Sequence, residues 1–170
     1  MNSMSRGYNE SCGKEKRREE EKHCPTIIKC GCPSSATITG TDTTPGTGPV
    51  ASVTVNNECL CDPITKLEFA TIITSTAEAT VSLQVLKQCR HQFTPVPVGP
   101  AWTVTAAAET PLPLSFFICD GDSCDNDCCT YIVQATFPEA ATVTFSNATL
   151  GAISTCKSNR CNKCKKDYDR

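Results

Sequence analysis

The sequence predicts an all-β protein, a single β-sandwich of jelly-roll or Greek-key type, on three observations. Apolar residues recur at every second position through seven to nine short segments between Val50 and Cys156. Turn residues separate these segments at intervals of about 10 to 15 residues, the spacing of a sandwich. The same stretch has no 3.6-residue amphipathic periodicity, and no repeat of fixed length points to a solenoid.

Taken in chain order, residues 1–32 are expected to form a charged, cysteine-bearing arm. Its segment Lys14–Lys22 (KEKRREEEK) sets Lys16 against Glu20 and Arg17 against Glu21 at i, i+4, but it has no apolar face. That pattern predicts a solvated arm rather than a docked helix. Thr26, Ile27 and Ile28 make a short extended piece bracketed by Cys24 and by Cys30-Gly31-Cys32. Residues 33–49 have the Ser, Thr, Gly and Pro composition of a linker, with Ala36–Thr39 alternating like an edge strand.

The sandwich is expected over residues 50–156. Ala51, Val53 and Val55 alternate with polar residues, as do Ala79, Val81, Leu83 and Val85, and then Trp102, Val104 and Ala106. Tyr131, Val133, Ala135 and Phe137 follow the same rule, as do Val143 and Phe145; Leu150–Thr155 completes the set. Leu67–Ile73 and Leu114–Ile118 are more uniformly apolar and are expected to be central strands. Residues 157–170 form a basic, cysteine-bearing tail.

Composition bounds what such a chain can do. Leu, Ile, Val and Phe make up only about 19% of it, so Thr and Ala must fill part of the core. The formal net charge is -2, but it is unevenly spread. Residues 1–32 carry seven Lys/Arg and five Asp/Glu, residues 33–155 three and eleven, and residues 156–170 six and two. An acidic middle with basic ends suits head-to-tail matching between copies, or merely solubilising tails. No apolar run approaches the ~20 residues of a membrane span, and residues 1–22 lack the apolar region of a secretion signal. The expected product is made in the cytoplasm, with neither nucleic acid nor membrane as a partner.

Chemistry-bearing motifs are few. His23 lies in the charged arm and His91 beside Arg90, neither placed with a nucleophile, and there is no phosphate loop, His-Glu-x-x-His or Gly-x-Ser-x-Gly. No catalytic residues, enzyme activity or cofactor are expected. Cys161-x-x-Cys164 has a zinc-knuckle spacing, with Cys30-x-Cys32 as a distant second half, but the remaining cysteines do not repeat it, and no metal site is expected. The loop from Cys119 to Cys129 holds four aspartates, yet its Gly121 and Tyr131 stand where a calcium loop needs other residues; it reads as a solubilised turn pinned by thiols.

Disulfides account best for fourteen cysteines. Cys59, Cys61, Cys89, Cys119, Cys124, Cys128, Cys129 and Cys156 are candidates for bracing the thin core, with Cys128 and Cys129 taking different partners. Cys12, Cys24, Cys30, Cys32, Cys161 and Cys164 lie on or near the tails and are candidates for bonds between molecules.

Several stretches carry a resemblance: Lys29-Cys-Gly-Cys-Pro-Ser-Ser, Cys59-Leu-Cys-Asp-Pro, Lys66-Leu-Glu-Phe, Gln88-Cys-Arg, the run from Pro95 to Trp102, and Cys124-Asp-Asn-Asp-Cys-Cys-Thr-Tyr131. Over residues 28–156 the chain resembles an uncharacterised cysteine-rich family of endospore-forming clostridia. Its layout is similar to that of endospore appendage subunits, jelly rolls whose cysteine-bearing N-terminal connector links successive subunits. This implies a connector role for Cys12, Cys24, Cys30 and Cys32, a place on the spore surface (coat, exosporium or appendage), and oxidation after the mother cell lyses. The expected function is a self-assembling, disulfide-cross-linked subunit of a fibre or layer, partnered by itself and by other coat or exosporium proteins. The alternatives are a metal- or ligand-binding surface module and an adaptor that anchors another fibre.

Overall fold

The computed structural model describes residues 24–58, 60, 62–90, 92–122 and 128–157. They form nine strands: β1 (Ile27–Cys30), β2 (Ser34–Thr39), β3 (Gly46–Asn56), β4 (Pro63–Ser75), β5 (Ala79–Cys89), β6 (Val96–Ala106), β7 (Leu112–Asp120), β8 (Cys128–Phe137) and β9 (Thr142–Cys156). All pairings between strands are antiparallel. One sheet has the order β1-β9-β4-β7, with β2 also pairing β9 further along the same edge; the other has the order β3-β8-β5-β6. With β1 and β2 counted as one interrupted strand, successive strands alternate between sheets except for the β5–β6 hairpin, the order of a jelly roll. The predicted fold class is the observed one. No described helix is long and apolar enough to cross a membrane.

Alternation drives the packing. In β5, Ala79, Val81, Leu83 and Val85 are wholly buried, and in β8 Tyr131, Val133, Ala135 and Phe137 are buried with them. Opposite them, β4 contributes Leu67, Phe69 and Ile73, and β9 contributes Phe145 and Leu150. Small residues fill the gaps between the large ones: Ala106, Ala148 and Ala152 are buried, as are Thr65 and Ser154. Each buried Leu, Val or Phe contributes about 1.5–3 kcal/mol, so a thin core still supports the fold when two complete faces meet.

The sandwich begins earlier than expected. The stretch 33–49 is not a linker: Ala36–Thr39 pairs with Phe145–Thr142 of β9, and Gly46–Pro49 pairs with Phe137–Gln134 of β8. Polar Ser and Thr suffice there because each strand buries only one face, through Ile38 and Val50. The expected arm likewise ends before Ile27, since β1 is paired to β9 from Ile27↔Ser154 to Cys30↔Gly151. Leu114–Ile118 is also not central. It lies in β7, at the free edge of its sheet, and its extra apolar residue, Phe117, is 61% exposed on the outer face. The solvated-arm reading of Lys14–Lys22 falls outside the described residues.

Candidate cross-linking site at one pole

The strand registers collect most of the described cysteines at one end of the sandwich. Asn56 of β3 pairs with Cys128 of β8, Cys89 of β5 with Cys129, Thr65 of β4 with Asp120 of β7, and Pro63 with Cys156 of β9. These strand ends flank the segments that hold Cys59, Cys61 and Cys124, three residues outside the described set. The opposite end has turns at residues 40–45, 76–78, 107–111 and 138–141, without a cysteine among them.

At the cysteine pole, Cys24 is disulfide-bonded to Cys156, with a Cα–Cα distance of 6.0 Å across a sequence separation of 132. The Cys156 amide also donates to Cys24 Sγ at 3.2 Å. Cys24 was expected to reach a neighbouring molecule. It instead closes the domain, because pairing of β1 with β9 brings it beside the last residue of β9. Cys89 and Cys129 are also disulfide-bonded. Their sulfurs stand 3.7 Å apart, well beyond a bond of about 2.05 Å, and their partners are not among the described residues. Cys128 accepts from Arg90 Nη2 at 3.7 Å, while Arg90 Nη1 lies 3.9 Å from Glu58 Oε1.

Beneath these thiols lies a buried ion pair that joins the sheets. Lys87 Nζ on β5 is 2.9 Å from Asp120 Oδ2 on β7 and donates to the Asp122 carbonyl at 2.6 Å. Tyr131 on β8 donates to Asp120 Oδ2 at 2.8 Å, and the Asp122 amide donates to Asp120 Oδ1 at 3.1 Å. Both carboxylate oxygens are thereby used, which removes Asp120 from any calcium set in the acidic loop; Ser123–Asp127 lie outside the described residues. A cleft of about 480 Å³ opens above the pair, lined by Lys87, Gln92, Val98, Cys119 and Asp122. Its charged floor is already satisfied by protein groups.

Among the described residues, three thiols are free and exposed: Cys30, Cys32 and Cys119. Cys119 was expected to brace the core. It points outward instead because its neighbours Ile118 and Asp120 take the inward positions of β7. Cys30 and Cys32 flank Gly31, where the chain passes from β1 to β2. A Cβ at Gly31 would lie 2.7 Å from the Ser52 carbonyl and 3.0 Å from that of Leu150, so only glycine fits the crossing. Cys12, Cys161 and Cys164, the other candidates for bonds between molecules, are outside the described residues. Among the described residues no three metal-ligating side chains are grouped.

The Lys87–Asp120–Tyr131 cluster was missed from sequence, yet a signal was present. Lys87 continues the inward phase of Val81, Leu83 and Val85, and a lysine at a core position calls for an acidic partner.

Fold and pole together define a disulfide-closed jelly-roll domain with spare surface thiols. The chain belongs to the family described as "Domain of unknown function (DUF4489)", whose model matches residues 24–155; the match starts at Cys24 and stops one residue short of its partner. No curated protein matches the chain. Among solved structures, the chain is similar to one titled "CBM4 structure and function" (17% identity, 69% of this chain and 70% of that one, TM-score 0.41). It is also similar to a chain of infectious bursal disease virus strain Gx (6% identity, 78% and 38%, TM-score 0.46). A third is a family 11 carbohydrate-binding module from Clostridium thermocellum (9% identity, 78% and 90%, TM-score 0.37). These likenesses concern the fold alone.

Proposed function

We propose that the protein is a structural subunit that assembles with copies of itself and is fixed by disulfides between copies, on the surface of an endospore. The observation that carries this reading is the division of the cysteines. Cys24 and Cys156 are bonded to each other and Cys89 and Cys129 are engaged in disulfides, while Cys30, Cys32 and Cys119 stand exposed and free. A lone folded domain gains nothing from surplus exposed thiols, which oxidise readily. In this reading the tail cysteines Cys12, Cys161 and Cys164, which lie outside the described residues, are further candidates for the same bonds. The spore surface is what the resemblance to a cysteine-rich family of endospore-forming clostridia and to endospore appendage subunits implies, and it would supply the oxidant after synthesis in a reducing cytoplasm.

The test is oxidation of the purified reduced protein with a glutathione redox couple, followed by non-reducing electrophoresis and electron microscopy. Ladders or fibres that collapse on reduction support the reading; a monomer with all thiols consumed internally sinks it. Removal of residues 1–23, which spares Cys24, should shorten the ladder while the domain keeps its melting transition. Fibres of unchanged length would remove the arm from the mechanism.

A further inference from the structure

Beyond the hydroxyl pairs Thr37–Thr144 and Thr39–Thr142 at its β2 end, the outer face of the five-stranded sheet carries two adjacent cross-strand rows. One runs Ile28–Ile153–Lys66–Cys119 and the next Cys30–Gly151–Glu68–Phe117, from β1 at one edge to β7 at the other. Ile28 is 67% exposed and Phe117 61%, with Ile153 between them. Lys66 Nζ lies 5.1 Å from the Phe117 ring centroid and is ion-paired to Glu68. That pair leaves the face without net charge, in a domain whose acidic residues gather in the terminal loops. The other sheet presents hydroxyls and amides outward, for example the pairs Thr54–Thr130 and Thr47–Thr136.

A neutral apolar strip with a free thiol at each edge has the pattern of a self-complementary interface. Cys30 and Cys119 sit three strand spacings apart, about 14 Å, too far to bond within one molecule. A two-fold axis in the plane of the contact, inclined by about 25° to the strands because Cys30 and Cys119 lie in adjacent rows about 7 Å apart, would lay β1 of one copy over β7 of the other, and the reverse, so one contact forms both thiol pairs. Disulfides between face-packed sheets occur inside immunoglobulin domains, so the span is feasible. The face measures on the order of 500 Å² from its strand spacing and length, short of the ~800 Å² per partner of a standard interface. Burial alone therefore orients the pair and the sulfurs fasten it.

We infer that this face docks a second copy of the chain back to back, with Cys30 of each copy bonded to Cys119 of the other. The inference rests on the self-assembly reading and deepens it: the closed pair is the building block, and growth beyond it falls to Cys32 and the tail thiols. For each bridge, one thiolate attacks oxidised glutathione and expels a glutathione thiol. The partner's thiolate then displaces the second glutathione. Two protein thiols are oxidised to one disulfide and one glutathione disulfide is reduced to two thiols.

The experiment uses the full chain with Cys12, Cys32, Cys161 and Cys164 replaced by Ser, mixed from ¹⁴N and ¹⁵N preparations and oxidised with glutathione. Expected are a disulfide-linked dimer with no higher ladder and mixed-isotope Cys30–Cys119 peptides. Phe117→Lys should lower the dimer yield at least tenfold while near-ultraviolet circular dichroism and melting stay as in the parent; Phe117→Ser serves if the lysine variant fails to fold. An undiminished dimer in a folded Phe117 variant, or bridges joining other cysteines, overturns the pairing. If the unaltered chain cross-links without any Cys30–Cys119 peptide, the pairing falls and self-assembly stands; if it stays monomeric under oxidant, both fall.

Discussion

At the pole where Cys24 meets Cys156, the buried groups include Lys87, Asp120, Tyr131, Asn57, Thr65 and Ser154; at the opposite pole they include Phe137, Phe145, Val143 and Ala79. The first end is held by a disulfide, a buried ion pair and hydroxyl contacts such as Ser154 Oγ to Asn57 Oδ1 at 3.0 Å. The second is held by close packing, with the Phe137 ring wedged against Gly40 and Gly46. Its four turns each carry one carboxylate, Asp42, Glu78, Glu109 and Glu139, and no Lys or Arg. The lesson is that one fold divides its stability between a redox-dependent end and a redox-indifferent end. The first and last described residues, Cys24 and Lys157, both lie at the former, so oxidation tightens the end at which the described chain begins and ends.

The strongest way to break this comparison is to remove the bridge. Cys24→Ser with Cys156→Ser should cost up to about 5 kcal/mol, the chain-entropy value for a loop of this length. Urea unfolding gives the total, and hydrogen exchange gives the location: faster exchange in β1 and the end of β9, with little change at Gly46 or Phe137. Uniform acceleration over the whole domain would show that the two ends are not separable.

Next in size is Asp120→Ala, which strands the Lys87 ammonium in the core and should cost about 3–5 kcal/mol. Lys87→Met combined with Asp120→Leu should recover most of that loss, since an apolar pair of similar volume needs no counter-charge. A double variant as unstable as the single one would mean that Asp120 acts mainly through Tyr131 and the Asp122 amide. At the packed pole, Gly46→Ala places a methyl 2.2 Å from the Phe137 ring. It should cost about 1–3 kcal/mol, by the same amount with and without reductant. A loss that depends on reductant would couple the two poles.

The fold class was legible because β5 and β8 keep one alternation phase throughout. Element boundaries were not, and bulges explain most of the failures. In β9 the inward set runs Val143 and Phe145, then Ala148, Leu150 and Ala152. The register shifts there, opposite Ala70 and Ile72, and Asn147 has φ 54°. One continuous strand therefore reads as two. In β3 a second bulge beside Pro49 leaves Val50 and Ala51 both buried, which hides the strand's first residues in a linker-like composition. The candidate site was legible as a list of thiols but not as a division, because the Cys24–Cys156 bridge depends on β1 reaching β9 across the length of the chain. No local pattern encodes that contact.

The smallest effect isolates the two poles at a matched backbone position. Asp62 at the cysteine pole and Glu109 at the packed pole both hold left-handed backbone, with φ 47° and 55°, a region that costs a residue with a Cβ about 1–2 kcal/mol. Glycine relieves this strain, partly offset by the greater freedom it gives the unfolded chain. At Glu109 the anchoring contact is the main-chain bond from its amide to the Ser75 carbonyl at 2.8 Å, which glycine keeps. Glu109→Gly should stabilise the domain by about 0.5–1 kcal/mol, with melting rising by about 2–4 °C per kcal/mol. At Asp62 the side chain is itself a partner, 3.0 Å from Lys157 Nζ. Losing that exposed pair costs about 0–1 kcal/mol, so Asp62→Gly should come out near zero. Equal gains at both positions in differential scanning calorimetry would show that the Lys157 side-chain pair contributes nothing to the cysteine pole, leaving the disulfide, the buried ion pair and the hydroxyl contacts to hold it.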